Sequence, residues 1–230
     1  MSLPEFKIET AKREHSKLRV GFFGPSGSGK TMSALRFAKG LTGDYGKVVV
    51  LDTEQGSAQL YANLGPFKCC SLSKPFYPGR YVEAIKYLEA QQDIEVIIID
   101  SISHEWEGEG GCLDIHTRAG GRFQDWSKVT PLHNRFINSI IECSKHVIVT
   151  GRTKSDYAID TDGKKTSVSK VGLKSVMRDG FEYELTMSFR LNQDHYAIAD
   201  KDRTDIFKDE SYFLIDETIG ERVALWNKGV

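Results

Sequence analysis

The chain has 230 residues, of which 40% are hydrophobic and 27% are charged, and this composition excludes a disordered or fibrous protein. Lysines and arginines number 31 against 32 aspartates and glutamates, so the formal net charge of -1 excludes a histone-like polycation and confines any nucleic-acid site to a local surface. No apolar run approaches the roughly 20 residues of a membrane span, and the polar start lacks the apolar core of a signal peptide, so we expect a soluble cytoplasmic protein with no membrane partner.

Short runs rich in β-branched residues alternate with helical patterns through about residue 151. The apolar runs cover residues 18–23, 47–52, 96–100 and 146–150. Between them, apolar residues recur at helical spacing within 34–41, 81–88 and 132–141, and Pro131 suits the first turn of the third helix. This alternation predicts an α/β fold with a mostly parallel central sheet flanked by helices.

The C-terminal part of the chain has a different pattern. Residues 183–191 and 195–200 are typical of two strands joined by a turn at 192–194, which predicts an antiparallel hairpin at one edge of the sheet. We expect one domain over residues 18–230. We expect residues 1–17 to be an N-terminal arm and a candidate oligomerisation segment.

Two stretches have no regular pattern. Residues 107–122 contain five glycines, and residues 153–170 carry charges on both sides of Asp162 and Gly163. Because long irregular segments are often binding or active-site loops, we expect both stretches to be mobile loops with a functional role.

The four cysteines form no CxxC pair, and Cys69 and Cys70 are adjacent, which is a poor arrangement for a disulfide framework or a zinc knuckle. We expect reduced thiols. A zinc site at His104, Cys112 and His116 is the one metal alternative, but this spacing matches no recognised ligand pattern.

The strongest motif follows the first predicted strand. It satisfies the P-loop pattern GxxxxGK[ST] with Gly24, Pro25, Ser26, Gly27, Ser28, Gly29, Lys30 and Thr31. Small residues let such a loop turn its backbone N–H groups toward a β-phosphate, and the N-terminus of the following helix adds about half a positive charge. Lys30 is expected to contact the β- and γ-phosphates of ATP, and the Thr31 hydroxyl to ligate Mg²⁺.

Carboxylates are expected at the ends of neighbouring strands, where they can orient the water shell of the metal ion. Four β-branched residues precede Asp100, as in a buried strand that ends at a nucleotide, so Asp100 is the predicted second Mg²⁺-binding residue. The run at 48–52 ends close to two acids, Asp52 and Glu54, and hydrolysis needs a base near the γ-phosphate.

These residues resemble the RecA-like recombinase and helicase core. In that family the strand after the P-loop helix ends in a carboxylate that activates water, and an aromatic residue seven positions later stacks on adenine. The resemblance therefore implies that Glu54 is the catalytic glutamate and that Tyr61 stacks on the base. The acid that approaches adenine in the recombinases corresponds to Ala58, whose side chain cannot hydrogen-bond.

A narrower resemblance is to small phage-encoded RecA-like ATPases, often described as phage nucleotide-binding proteins. It covers roughly residues 18–207 and depends on segments 100–108, 149–157, 178–184 and 201–204. It implies an ATPase that acts on single-stranded DNA in phage recombination or annealing, in the cytoplasm of a bacterial host. A phage single-strand-binding protein is an expected partner.

Lys201 and Arg203 follow the last predicted strand of the core. In recombinases and hexameric helicases, a cation pair at this place reaches the nucleotide of the neighbouring subunit. The resemblance thus implies a homo-oligomer, either a filament or a ring, in which these cations assist catalysis across an interface.

The recombinases carry a γ-phosphate-sensing glutamine and then a DNA-binding loop after their fourth core strand. At this place the chain has Arg152, and Arg152 or Lys154 is the candidate substitute. Flexible basic residues suit a phosphate backbone, and the predicted nucleic-acid contacts are Arg152, Lys164, Lys165, Lys170 and Lys174. The glycine-rich stretch adds Phe123 and Trp126 as candidate base-stacking residues.

Two other functions share the phosphate-binding loop. A P-loop kinase is one, although the chain has no compact arginine-rich lid. A nucleotide-gated switch that does not bind DNA is the other. DNA-stimulated ATP hydrolysis would separate the three.

Overall fold

The computed structural model describes residue 8 and residues 10–13, 16–162, 165–178 and 180–230, with only the backbone for 155–162 and 165–174. The described residues form nine strands and six α-helices. In chain order these are β1 (Arg19–Gly24), α1 (Lys30–Thr42), β2 (Val48–Asp52), β3 (Lys68–Ser71), α2 (Pro78–Glu89), β4 (Val96–Asp100), α3 (Ser103–Glu107), α4 (Cys112–Arg118), α5 (Trp126–Ile141), β5 (His146–Asp162), β6 (Lys165–Ser175), β7 (Met187–Leu191), β8 (Tyr196–Asp202), β9 (Phe213–Leu214) and α6 (Glu217–Lys228).

The strands form one sheet in the order β3-β2-β4-β5-β1-β7-β8-β9, and β6 pairs with the far part of β5. The first six strands of this order run parallel to one another. The β7–β8 and β8–β9 pairs are antiparallel. The predicted α/β fold with an antiparallel C-terminal edge is therefore confirmed, and the carboxyl ends of β1, β2, β4 and β7 meet at one edge of the sheet.

The central strands of the sheet are buried along their whole length because helices cover both of its faces. Val96 and Ile98 of β4 pack on the side of α1 and α6. Ile97 and Ile99 point to the other face, toward α2 and α5. This strict alternation follows from the two-residue period of a strand, and it makes β4 a rigid base for Asp100 at its end. In the described part of the chain no helix is long and apolar enough to cross a membrane.

The prediction of a loop at 153–170 is wrong for the residues that the structure describes. The backbone continues β5 to Asp162 and returns as β6, with an irregularity between Asp156 and Tyr157. Polar residues occur at both alternating sets of positions in this sequence, so it has no apolar stripe from which a strand could be predicted. Gly163 and Lys164, between the two strands, lie outside the described residues.

Three other boundaries differ from those expected. The stretch 107–122 contains α4, so it is not wholly a loop. Helix α5 begins at Trp126, which places the exposed Pro131 inside the helix and not in its first turn. The strand expected from residue 183 begins at Met187, because Phe181–Glu184 form a turn of 3-10 helix.

The N-terminal arm is described only at residues 8, 10–13, 16 and 17, so most of the predicted oligomerisation segment lies outside the described residues. The Arg13 guanidinium lies 4.9 Å from the ring centroid of Trp226 on α6. This contact places part of the arm against the domain's own last helix.

The first residue of β5 predicts a pH dependence of stability. His146 Nδ1 accepts a hydrogen bond from the Leu18 amide at 3.0 Å, and burial lowers the pKa of His146 from 6.5 to about 4. The unfolded chain therefore binds an extra proton between these values, and this contribution to stability falls as the pH falls from about 6.5 to about 4. We expect wild type to lose about 2 kcal/mol more than His146→Gln between pH 7 and pH 4.5.

Denaturant unfolding at both pH values measures this difference. His195→Gln, which replaces an exposed histidine, is the matched control and should keep the wild-type pH dependence. An equal pH dependence in wild type and His146→Gln would contradict the assignment.

Candidate nucleotide-binding site

The P-loop joins the end of β1 to the start of α1 at the carboxyl edge of the sheet. Gly27 and Gly29 have φ values of 79° and 84°, in the left-handed region that favours glycine. A Cβ on Gly24 would lie 2.5 Å from the Ser28 hydroxyl oxygen and 2.7 Å from the Leu191 carbonyl oxygen. The loop conformation therefore requires the glycines of the motif at these positions.

Two polar groups of the loop are suited to a phosphate ligand. The Lys30 ammonium group donates to the Pro25 carbonyl oxygen at 2.7 Å, across the turn of the loop. Burial lowers the pKa of Lys30, and the nearby Asp100 carboxylate opposes this shift. The Ser28 hydroxyl is buried and has no hydrogen-bond partner among the described residues. A half-buried ammonium group and a buried hydroxyl group are donors that fit an anion with several acceptor oxygens.

Asp100 connects the P-loop to two neighbouring strands. Its carboxylate accepts hydrogen bonds from the Thr31 hydroxyl at 2.7 Å and from the Thr150 hydroxyl at 2.5 Å. Burial raises the pKa of Asp100, and these two hydrogen bonds lower it. The structure thus brings together Thr31 and Asp100, the two predicted metal-binding residues, and their oxygen atoms are the hard ligands that Mg²⁺ prefers.

The two acids at the end of β2 have different surroundings. Asp52 is 2% exposed, and its carboxylate accepts the backbone N–H groups of Glu54 at 2.7 Å and Ala58 at 3.1 Å. It therefore fixes the turn after the strand. Glu54 extends its carboxylate into the space beside the P-loop, which makes it the acid with access to a ligand.

Glu54 is paired with two groups from other elements. Arg152 donates from one guanidinium nitrogen to both carboxylate oxygens of Glu54, at 2.7 and 2.9 Å. His104 Nε2 lies 3.8 Å from Glu54 Oε1, and its Nδ1 lies 2.8 Å from the Thr53 hydroxyl. The Arg152 amide donates to the Ser103 hydroxyl at 2.9 Å, so α3 helps to position both partners of Glu54.

Strand register explains why Arg152 reaches this place. It pairs with Gly24, the last residue of β1, and therefore stands beside the start of the P-loop. The sequence predicted Arg152 as a nucleic-acid contact and, alternatively, as the residue that senses the γ-phosphate. In the structure its guanidinium group lies next to Glu54, beside the P-loop.

A cavity of about 540 Å³ connects these groups. Its lining includes predicted residues of four segments: Ser26, Gly27, Gly29, Lys30, Thr31, Glu54, Tyr61, Asp100 and Arg152. Tyr61 lies on the 3-10 helix Ser57–Leu64 and packs partly against the core. Ala58, on the same helix, is fully buried away from the cavity.

Sequence reasoning missed eight lining residues: Met32, Ser33, Arg36, Ser57, Leu60, His195, Leu214 and Ile215. Arg36 lies on the P-loop helix and could have been found from its spacing. His195 lies in the β7–β8 turn at φ 67°, where its Nδ1 is 3.0 Å from the position of a Cβ on Gly29. Its approach depends on strand order, which no local pattern in the sequence reveals.

Lys201 and Arg203 are not part of this cavity. Lys201 Nζ donates to the carbonyl oxygens of Glu182 and Tyr183 at 3.0 and 2.5 Å, and Arg203 donates to that of Tyr183 at 2.9 Å. The Arg203 amide donates to the Thr186 carbonyl oxygen, and the Thr186 amide donates to the carbonyl oxygen of Arg19, the first residue of β1. Both cations therefore lie at the end of the sheet opposite the P-loop of their own chain.

Three of the predicted DNA-contacting lysines belong to the β5–β6 hairpin. Lys165, Lys170 and Lys174 lie on the backbone of β6, and Lys164 lies outside the described residues. The hairpin begins directly after Arg152, where Thr153 pairs with Ser175.

Comparison with known proteins agrees with this geometry. A search of curated proteins finds no match. A family model described as an AAA domain matches residues 16–224, which is nearly the whole chain and includes the P-loop, Glu54, Asp100 and Arg152. The chain therefore belongs to this family of AAA-type P-loop ATPases.

Proposed function

We propose that the chain binds ATP with Mg²⁺ in the P-loop cavity, hydrolyses it with Glu54 as the general base, and couples hydrolysis to single-stranded DNA. One observation carries the hydrolytic part. Lys30, the Thr31–Asp100 pair and the Glu54–Arg152 pair, which come from four segments of the chain, line a single cavity at the carboxyl edge of the sheet.

The loop residues account for ATP binding. Backbone N–H groups of the P-loop and the N-terminus of α1 hold the β-phosphate, and Lys30 exchanges its Pro25 carbonyl partner for phosphate oxygens. Thr31 and Asp100 would hold Mg²⁺, which when bound neutralises charge on the β- and γ-phosphates. Tyr61 offers an aromatic face to the base.

The Glu54–Arg152 pair supplies a base whose charge is compensated until ATP arrives. A guanidinium group with five donors can bridge a carboxylate and a γ-phosphate. As Arg152 turns toward the phosphate, the Glu54 carboxylate is released to accept a proton from an attacking water. Arg152 then takes the part that glutamine has in the recombinases.

The DNA-binding part depends on the hairpin that follows Arg152. Ten residues of β5, 153–162, extend beyond the parallel sheet, about 33 Å of strand. The hairpin begins at Thr153, directly after the residue that pairs with Glu54, so we expect a ligand bound to the hairpin to affect the cavity. Its lysines give it cations for a phosphate backbone. The resemblance to phage proteins supports a role in recombination or annealing in a bacterial host, with a phage single-strand-binding protein as partner.

A variant without the predicted DNA-contacting lysines tests this part of the proposal. It carries Gln in place of Lys164, Lys165, Lys170 and Lys174. We expect weaker single-strand binding and a salt dependence that flattens by up to about 3 in the slope of log K against log salt, about 0.7 per lost phosphate contact. Fluorescence anisotropy with labelled oligonucleotides at several salt concentrations measures the slope. Replacing the exposed Lys17, Lys86, Lys208 and Lys228 is the matched control. An unchanged slope in the variant without these lysines would contradict their contact with DNA.

Variants at Lys201 and Arg203 test whether the protein works as an assembly of several copies. Since these two residues lie opposite the P-loop of their own chain, any contact with a γ-phosphate must be made to a neighbouring copy in a filament or ring. Arg203→Ala should bind ATP normally and turn over poorly, and mixing it with Glu54→Gln protein should restore part of the activity. Subunit exchange is verified separately with labelled protein. Exchange without any rescue would contradict a cation supplied in trans.

A further inference from the structure

Three side chains of metal-ligand type meet in the core beside α3, outside the nucleotide cavity. They are Glu105 on α3, Cys112 at the start of α4 and His133 on α5, with exposed fractions of 0%, 0% and 3%. Their ligand atoms all lie within 4.8 Å of one another. The sequence expectation paired Cys112 with His104 and His116 instead. Those two histidines lie elsewhere, stacked on Phe76 and Trp126.

The distances within the cluster are short. Cys112 Sγ is 3.1 Å from Glu105 Oε1, His133 Nδ1 is 3.2 Å from both Glu105 oxygens, and the sulfur and nitrogen atoms are 4.0 Å apart. With metal–ligand bonds of about 2.0 to 2.3 Å, two donors of a tetrahedral zinc site lie about 3.3 to 3.6 Å apart. The two separations from Glu105 lie just below this range, and the separation of sulfur from nitrogen lies just above it. Small side-chain shifts would therefore place the three donor atoms on one face of a tetrahedron.

We propose that Glu105, Cys112 and His133 bind a divalent transition metal of the zinc class. A thiolate, an imidazole and a carboxylate are the donor types that zinc takes. Two negative ligands and one neutral ligand balance a divalent ion, which matters in a site without solvent access because an uncompensated buried charge is costly. A fourth ligand would be a water molecule or a backbone carbonyl.

The surroundings hold the ligands in place. The Trp106 ring packs edge-on against the His133 imidazole, with ring centroids 5.3 Å apart, and Trp106 in turn stacks on Trp126. Burial and Glu105 raise the pKa of the Cys112 thiol, whereas the Arg178 charge lowers it. Metal binding must displace the thiol proton, so occupancy should decrease at low pH.

The site would fasten three helices at the end of the Asp100 strand. Helix α3 carries Ser103, which accepts the Arg152 amide, and His104, which lies beside Glu54. A bound ion would therefore stabilise the segment that positions the Glu54–Arg152 pair. The metal-binding proposal itself does not depend on ATP hydrolysis.

The full chain, produced in zinc- or cobalt-supplemented medium and purified without nucleotide, provides the test. We expect about one metal ion per chain by elemental mass spectrometry, and the cobalt protein should show sulfur-to-cobalt charge-transfer absorption. The Thr31–Asp100 pair has only oxygen ligands and cannot produce this absorption. The proposal would be overturned if wild-type protein contained no stoichiometric metal and showed no such band. The three side chains would then form only a buried hydrogen-bonded cluster.

Variants locate the metal. Cys112→Ser should lower bound cobalt at least about 10-fold and abolish the band, and His133→Gln should lower cobalt to a similar degree. Cys143→Ser, at another buried cysteine, is the matched control and should keep both signals. A band that survives Cys112→Ser would assign the metal to another thiol and overturn the proposal. If Cys112→Ser does not fold, His133→Gln and the wild-type spectrum still decide.

Discussion

Lys30→Ala is expected to weaken ATP binding about 10-fold to 100-fold, because a charged hydrogen bond to phosphate contributes roughly 1.5 to 3 kcal/mol. Turnover should fall further, by about 10³-fold, since the Lys30 charge also stabilises the transferring phosphoryl group. The fold should survive because Lys30 contacts the Pro25 carbonyl and not the core. Titration calorimetry and phosphate release measure the two effects.

Lys39→Ala is the matched control for this experiment. Lys39 lies on the same helix, at its other end, where its ammonium group bonds the Gly43 carbonyl outside the cavity. It should leave ATP binding and turnover unchanged. Wild-type turnover in a folded Lys30→Ala protein would exclude the P-loop as the site of hydrolysis.

Glu54→Gln is expected to separate binding from hydrolysis. Glutamine keeps the size of the side chain and its ability to bond Arg152, but it cannot accept a proton from water. ATP affinity should stay within a few-fold of wild type, and hydrolysis should fall at least about 10²-fold, a typical contribution of a general base. Glu107→Gln, at an exposed acid on α3, is the control and should hydrolyse ATP normally.

Arg152→Gln should give a different pattern. If Arg152 contacts the γ-phosphate, its loss should reduce the preference for ATP over ADP by about 10-fold as well as slowing turnover. Unchanged turnover in Glu54→Gln would remove Glu54 as the base. The buried Asp52 and Glu105 are poor replacements, because the first caps a turn and the second lies with Cys112 and His133.

The sequence carried the features that depend on local spacing. The P-loop, the apolar strands and the three helical stripes were predictable because each is a pattern within one element. Asp100 followed from a continuous β-branched run, which only a strand buried on both faces requires. Helix α6 has comparable signals, an Asp216 cap and Gly229 after its last residue, which the prediction overlooked.

Features that depend on strand order or long-range contact were not predictable in the same way. The pairing of Arg152 with Glu54 arises because β5 lies between β1 and β4, and no local pattern contains that order. The meeting of Glu105, Cys112 and His133 requires three helices to pack together. The short edge strands β3 and β9 have no buried position, so no apolar pattern predicts them.

The fate of the γ-phosphoryl group tests the central claim most directly. Wild-type protein in excess over γ-labelled ATP, with Mg²⁺ and single-stranded DNA, is quenched at intervals and its products are separated. We predict that the label appears as free phosphate, faster with DNA than without, and that Lys30→Ala releases none over the same interval. Label that stays in ATP would indicate a switch, and label that appears on another acceptor would indicate a kinase. Either result would contradict an ATPase that uses water as the acceptor.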